Sequence, residues 1–268
     1  MSIRVAVAGA TGRLGSVAVR LIEQADDLEL VARLDSRSPL EDMLGADVLV
    51  DMTLPQVSSL IVAFAVDNGL NVLVGTSGWS ADRILDLERR VAQHDGRGAI
   101  VIPNFSLGSA LGTAFASVAA RFFDSIEIIE THGAGKIDSP SGTAVRTAEL
   151  IGAARAAKGP VEAPHSDQRA RGQQVASVPI HSLRMRGVAA QQQVILGGPG
   201  EQLTIRHDTI GPEAYEAGIL LGVRAAASAV GVTVGLDNLI DLGISEPDGE
   251  PPRRTVRDAG DDGTDPAR

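Results

Sequence analysis

Between Glu130 and Ala144 the chain reads E-T-H-G-A-G-K-I-D-S-P-S-G-T-A, which gathers one histidine, one lysine and a Ser-Gly-Thr turn into a single short stretch. His132 carries a side chain that gives or takes a proton near neutral pH. Lys136 adds a full positive charge. Ser141, Gly142 and Thr143 stand where a helix is expected to begin, and the free N–H groups and dipole of a helix start attract a carboxylate. An acid/base group, a cation and an anion cradle together describe a site for an anionic substrate. Singly these signals are weak, because a lone histidine at a strand end is more often structural and a lone lysine more often a solvated charge. Their joint presence makes the site.

Both flanks are regular. S-I-E-I-I-E-T (125–131) reads as a strand, and A-V-R-T-A-E-L-I-G-A-A (144–154) as a helix. At the other end of the chain, I-R-V-A-V-A-G (3–9) is an apolar run broken by glycine, and Gly9, Gly12 and Gly15 give G-x-x-G-x-x-G before a helix-spaced segment. Strand, glycine turn and helix in that order form a dinucleotide fingerprint: tight turn, close approach to a pyrophosphate, and helix packing on the sheet. Thr11, Arg13 and Leu14 lie inside the turn. The next strand ends at Asp35, twenty residues past Gly15, where an acid suits the 2′-hydroxyl of an adenine ribose. Arg37 and Arg13 are placed to hold a 2′-phosphate instead, so NADH and NADPH both stay open, with a bias to NADH.

Strands at 46–53, 71–78 and 99–106 alternate with helices at 57–66 and 81–92, which predicts a doubly wound parallel sheet of the Rossmann type. Ligands of such sheets sit at the carboxyl ends of the strands. Thr53, the run Gly75-Thr76-Ser77, and Pro103-Asn104-Phe105 all fall there. After a small-residue helix (107–123), strand-like runs at 178–186, 191–196 and 202–208 follow one another without helices. They predict a C-terminal α+β domain with an open mixed sheet that pairs with copies of itself. Residues 157–176 read as a mobile loop, and 214–230 as a long helix.

Composition narrows the function classes. The 268 residues contain no cysteine, which excludes disulfides and thiol chemistry, and no His/Asp/Glu cluster has metal-ligand spacing. A net charge of −10 argues against a nucleic-acid partner. The N-terminus lacks the pattern of a signal peptide, and the apolar stretch 102–120 is interrupted by Pro103, Asn104, serines and glycines, so no membrane span is expected. A cytoplasmic location follows as an expectation. The tail 246–268, with seven acidic residues, four arginines and one large aliphatic residue, is expected to be disordered.

These motifs, V-A-V-A-G-A-T-G-R-L-G, G-T-S-G, P-N-F-S, E-T-H-G-A-G-K-I-D-S-P-S-G-T-A and L-T-I-R-H-D, resemble the 4-hydroxy-tetrahydrodipicolinate reductase family over residues 3–243. The fourth is the specific one. The resemblance implies NAD(P)H-dependent reduction of a small cyclic dicarboxylate in diaminopimelate and lysine biosynthesis, by a homotetramer joined through the C-terminal sheet. It implies a nucleotide domain of residues 1–106 and 216–243, and a substrate and tetramerisation domain of 107–215. It makes His132 the general acid, Lys136 the cation that grips the substrate, and Ser141, Gly142 and Thr143 the carboxylate cradle. Gly9, Arg13, Leu14, Asp35, Gly75, Ser77, Asn104 and Phe105 would line the dinucleotide. The sequence departs from the family at Gly133, where a second histidine is usual, and at Gln191 and Gln193, which replace a His and a Glu. Those departures leave room for a reductase of a related cyclic imine; a non-catalytic NAD(P)-binding protein is a separate alternative.

Overall fold

A computed structural model describes residues 2–242; the tail expectation therefore lies outside the described residues. The first half alternates as the hydrophobic pattern requires. Strands β1 (Ile3–Ala8), β2 (Leu28–Leu34), β3 (Val48–Asp51), β4 (Asn71–Val74) and β5 (Gly98–Val101) are separated by helices α1 (Arg13–Gln24), α2 (Pro55–Asp67) and α3 (Ala81–Val91), with a short 3₁₀ turn before β3. Every residue of β3, β4 and β5 is buried, because helices cover both faces of the sheet. Helix α1 turns Gly15, Ala18, Val19 and Ile22 inward at helical spacing.

The second half begins with α4 (Leu107–Ala119), β6 (Ser125–Gly133) and α5 (Gly142–Ala154), and continues through β7 (Gln173–Val175), β8 (Val178–Met185), β9 (Ala190–Gly198) and β10 (Glu201–Thr209). The strands form a sheet in the order β10-β9-β6-β8-β7, in which only the β6–β8 pair is parallel. Helices α4 and α5 cover one face, burying Ile126, Ile128, Ile180, Val194 and Leu196 against Ala116, Ala144, Ala148 and Ile151. The other face carries the half-exposed Leu183 and Met185. The segment read as a mobile loop holds a 3₁₀ turn at Arg169–Arg171 and the strand β7, which is too short to show a period.

The chain then returns to the first sheet. Helix α6 (Glu216–Ala227) packs on α1, β3, β4 and β5, and β11 (Gly231–Val234) pairs in parallel with β5. The first sheet is thereby six parallel strands in the order β11-β5-β4-β3-β1-β2. Asn71, 2% exposed, fastens α6 there: its Nδ2 donates to the Ala226 carbonyl at 2.8 Å while its Oδ1 accepts from Gly98 N at 3.1 Å. The chain direction across the sheet switches between β1 and β3, which is where a doubly wound sheet opens a crevice for a ligand.

Candidate active site

The glycine turn fills that crevice. Gly9 adopts φ +77°, and a Cβ there would lie 2.4 Å from the Met52 carbonyl oxygen, so only glycine fits against the loop after β3. A Cβ on Gly15 would fall 1.9 Å from the Gly9 oxygen, which is how closely α1 approaches the turn. Gly12 caps α1 without a side-chain hydrogen bond, whereas Ser80, Ser106 and Ser141 cap α3, α4 and α5 with their hydroxyls. The first N–H groups of α1 therefore face outward beside the exposed Thr11, Gly12 and Arg13 and the half-buried Leu14. Asp35, at the end of β2, accepts from the Arg37 backbone N at 2.8 Å and from Arg37 Nη2 at 3.2 Å. Those bonds hold its carboxyl below the usual carboxylate range. Thr53 is tied to the buried Asp51, whose Oδ1 accepts from its backbone N at 3.1 Å and its hydroxyl at 2.5 Å.

A cleft of about 770 Å³ runs from the ends of β4 and β5 to the end of β6. It is lined by Thr76, Ser77, Pro103 and Asn104 on one side and by His132, Lys136, Ser141, Gly142 and Thr143 on the other. These nine residues, drawn from both halves of the sequence, thus share one cavity, whereas Gly9, Thr11, Gly12, Arg13, Leu14, Gly15, Asp35, Arg37 and Thr53 are not part of its lining. Gly75 and Phe105 lie under its floor. The Phe105 ring is 2% exposed, and a Cβ on Gly75 would meet it at 2.6 Å.

The substrate side is built by strand alternation. Ile126, Ile128, Glu130 and His132 share the helix-covered face of β6, so the two apolar residues anchor the strand and the two polar ones reach the cleft end. His132 Nδ1 lies 2.5 Å from Glu130 Oε2. Glu130 is fully buried and also receives both terminal nitrogens of Arg184 at 2.9 Å and the backbone N of Ser141 at 3.2 Å. Burial pushes its carboxyl up, but hydrogen bonds from Arg184, Ser182 and His132 outweigh that, and its pKa lies below the ordinary value. Lys136 follows in a turn, its Nζ 2.9 Å from Asp138 Oδ1. Ser141 caps α5 by accepting from Ala144 N at 3.3 Å, and Thr143 stands in the first turn.

Gln191 and Gln193, the departures from the family pattern, are not part of the lining of this cleft. Gln192 pairs with Glu130 across β6–β9 and donates to Thr147 Oγ1 of α5 at 2.9 Å, so it occupies the helix-covered face. Its neighbours alternate to the open face opposite Thr131 and Ile129. Gly133 alternates away from His132 as well, and a Cβ there would meet the Val188 oxygen at 3.2 Å. Three of the four remaining histidines have structural neighbours. His207 Nε2 is 3.2 Å from Ser106 Oγ, and burial holds its pKa down. His181 Nε2 is 2.5 Å from Glu127, and His94 sits 3.7 Å from Asp67. Arg224 pairs with Asp27 on the surface. Sequence reading missed Arg184 and Trp79. Only the register of β8 against β6 sets Arg184 opposite His132, so no sequence signal marks the first. Trp79 lines the cleft and donates to Ser58 Oγ at 2.9 Å, a contact with no local sequence mark.

A parallel sheet with a glycine turn at its switch point, opening onto a cleft with an imidazole and an ammonium, is the architecture of a Rossmann-type oxidoreductase. Residues 3–105 match the model of the dihydrodipicolinate reductase N-terminus and residues 108–240 that of its C-terminus. The chain is 63% identical over 242 residues to the 4-hydroxy-tetrahydrodipicolinate reductase of Clavibacter sepedonicus, covering 90% of this chain and 87% of that protein. It is 45% identical over 246 residues to the reductase of the same name from Streptomyces griseus, covering 90% and 98%. Dipicolinate-bound dihydrodipicolinate reductase from Paenisporosarcina sp. TG-14 superposes with a TM-score of 0.76 at 30% identity, over 90% of this chain and all of that one. GenD2 from gentamicin A biosynthesis shares the fold at a TM-score of 0.60 and 13% identity, over 85% of this chain and 86% of that one. The chain belongs to the dihydrodipicolinate reductase family.

Proposed function

We propose that this protein reduces 4-hydroxy-tetrahydrodipicolinate to tetrahydrodipicolinate with NADH or NADPH, in the route to diaminopimelate and lysine. The observation that carries the reading is the single cleft in which His132, Lys136 and the Ser141–Thr143 turn face Thr76, Ser77 and Asn104. The uncapped start of α1 and the glycine turn that a Cβ would obstruct fit a dinucleotide pyrophosphate. Asp35 accepts from the ribose 2′-hydroxyl, and its ionised carboxyl repels a 2′-phosphate, so NADH is favoured. Arg37, 89% exposed at its side chain and hydrogen-bonded only to Asp35 among the described contacts, swings to a 2′-phosphate and keeps NADPH usable.

The bound nicotinamide supplies a hydride. Lys136 and the N–H groups of the α5 start hold the substrate carboxylates, and His132 gives the accompanying proton to the ring from Nε2. Hydride and proton enter and the 4-hydroxyl leaves as water. Residues 1–106 with 216–243 form the nucleotide domain, a division supported by α6 and β11 packing on the first sheet, and 107–215 form the substrate domain. The open face of the second sheet, with Leu183 40% and Met185 49% exposed, is the surface through which the protein assembles as a homotetramer. Among the described residues no helix is long and apolar enough to cross a membrane, and the nicotinamide requirement supports a cytoplasmic site of action.

The test is oxidation of NADH and of NADPH with freshly generated 4-hydroxy-tetrahydrodipicolinate. Wild-type turnover that falls on the order of 100-fold or more in His132→Ala is expected. Nucleotide binding without turnover would sink the reaction and leave the fold.

A further inference from the structure

One carboxylate touches both halves of the substrate site. Glu130 Oε2 lies 2.5 Å from His132 Nδ1, and Glu130 Oε1 accepts from the backbone N of Ser141 at 3.2 Å, the residue that caps α5. Arg184 closes over both oxygens at 2.9 Å, and its Nη2 also donates to the Asp138 carbonyl at 2.6 Å, across the loop that carries Lys136. The Glu130 side chain is wholly buried and those of His132 and Arg184 are 18% and 20% exposed, so solvent screens this network little.

We propose that Glu130 is a positioning residue, which holds the His132 ring and the start of the carboxylate cradle in one register, with Arg184 as its countercharge. An ionised carboxylate only accepts hydrogen bonds, so the nitrogen facing it must carry the proton. Glu130 therefore keeps a proton on Nδ1 and leaves Nε2 as the atom that exchanges a proton in the cleft. Because the same carboxylate binds the cap of α5, a change in ring orientation also moves the cradle. Arg184 stands directly opposite His132 in the β6–β8 register, and the Glu130 carboxylate bonds both the guanidinium and the imidazole.

This deepens the reading of His132 as the proton donor and rests on it. The test uses full-length protein with ¹⁵N-labelled histidine, wild type beside Glu130→Gln, with His132→Asn to assign the signal. In ligand-free wild type the neutral His132 ring is expected in the Nδ1–H form. In Glu130→Gln the Nε2–H form should appear, kcat should fall on the order of 100-fold, and nucleotide affinity should change less than about twofold. Glu130→Asp, which keeps the charge, should retain more activity than Glu130→Gln. If Glu130→Gln does not fold, Glu130→Gln with Arg184→Gln removes both charges and carries the same readouts. An unchanged ring form, or a changed form with unchanged kcat, overturns the proposal. Absence of wild-type turnover would instead sink the reaction, and the ring form, read without ligand, would still decide the role of Glu130.

Discussion

Asn104 Nδ2 donates to Thr143 Oγ1 across 3.4 Å, joining the loop after β5 to the first turn of α5. Asn104 and Thr143 line opposite sides of the cleft, so under the proposed function this bond couples the nucleotide side to the anion cradle. The same amide donates to Ser109 Oγ at 3.1 Å and accepts from Ser106 N at 3.0 Å, which fixes its orientation. Replacing Asn104 by Ala removes one neutral hydrogen bond to the cradle, worth about 1 kcal/mol. The Michaelis constant for substrate should rise about fivefold, with a smaller effect on nucleotide affinity. Steady-state kinetics beside a nucleotide titration would separate the two, and an unchanged substrate constant would uncouple Asn104 from the cradle.

Cofactor preference should turn on Asp35. Its carboxyl is engaged by Arg37 and by Ser38, so Asp35→Ala removes a ribose acceptor and frees Arg37 at once. The ratio of kcat/KM for NADPH over NADH is expected to rise about tenfold or more. Measuring both nicotinamides with one substrate batch checks it. A constant ratio would remove Asp35 from the ribose site.

Acid should weaken the second sheet. Glu127 and Glu130 both have pKa values below the ordinary 4.5, despite burial, because Arg171 and His181 bond the first and Arg184 bonds the second. A carboxyl whose folded pKa lies below its unfolded one contributes stability that is present above the unfolded value and lost as pH falls through the folded value. The melting temperature should therefore hold near neutral pH and drop as pH falls below about 4.5. In Glu127→Gln the drop between pH 5 and about 3 should be shallower, and an identical slope would show that the Arg171 and His181 contacts contribute nothing to it.

Arg155 is a stability residue without a carboxylate partner in its hydrogen bonds. It is 3% exposed, and its guanidinium donates to the carbonyls of Ala120 at 2.7 Å, Gly159 at 3.2 Å, Pro160 at 3.1 Å, and also Phe123. These bonds tie the end of α5 to the end of α4 and so hold the scaffold behind Ser141. Arg155→Met should cost about 2–3 kcal/mol in urea unfolding. The reductase site lies at the opposite end of α5, so kcat of the folded fraction should stay within about twofold.

The sequence by itself determined the architecture of the nucleotide half and the composition of the site. The G-x-x-G-x-x-G turn, the mainly apolar strands β3 to β5 and the E-T-H-G-A-G-K-I-D-S-P-S-G-T-A run are local patterns, and each is set by backbone geometry and period over a few residues. Strand β11 escaped notice because four residues bounded by glycine carry too little pattern, and only the vacant edge of β5 gives them a place. Which face Gln191 and Gln193 occupy was open until the pairing with β6 fixed it, since a shift of one residue exchanges the faces. The tertiary structure alone decided that Glu130 would join His132, Arg184 and Ser141. Arg184 is 54 residues from Glu130 in the chain, and it closes on that carboxylate only because β8 lies parallel beside β6. A buried charge is tolerable only where such a partner arrives, and no spacing along the chain specifies that arrival.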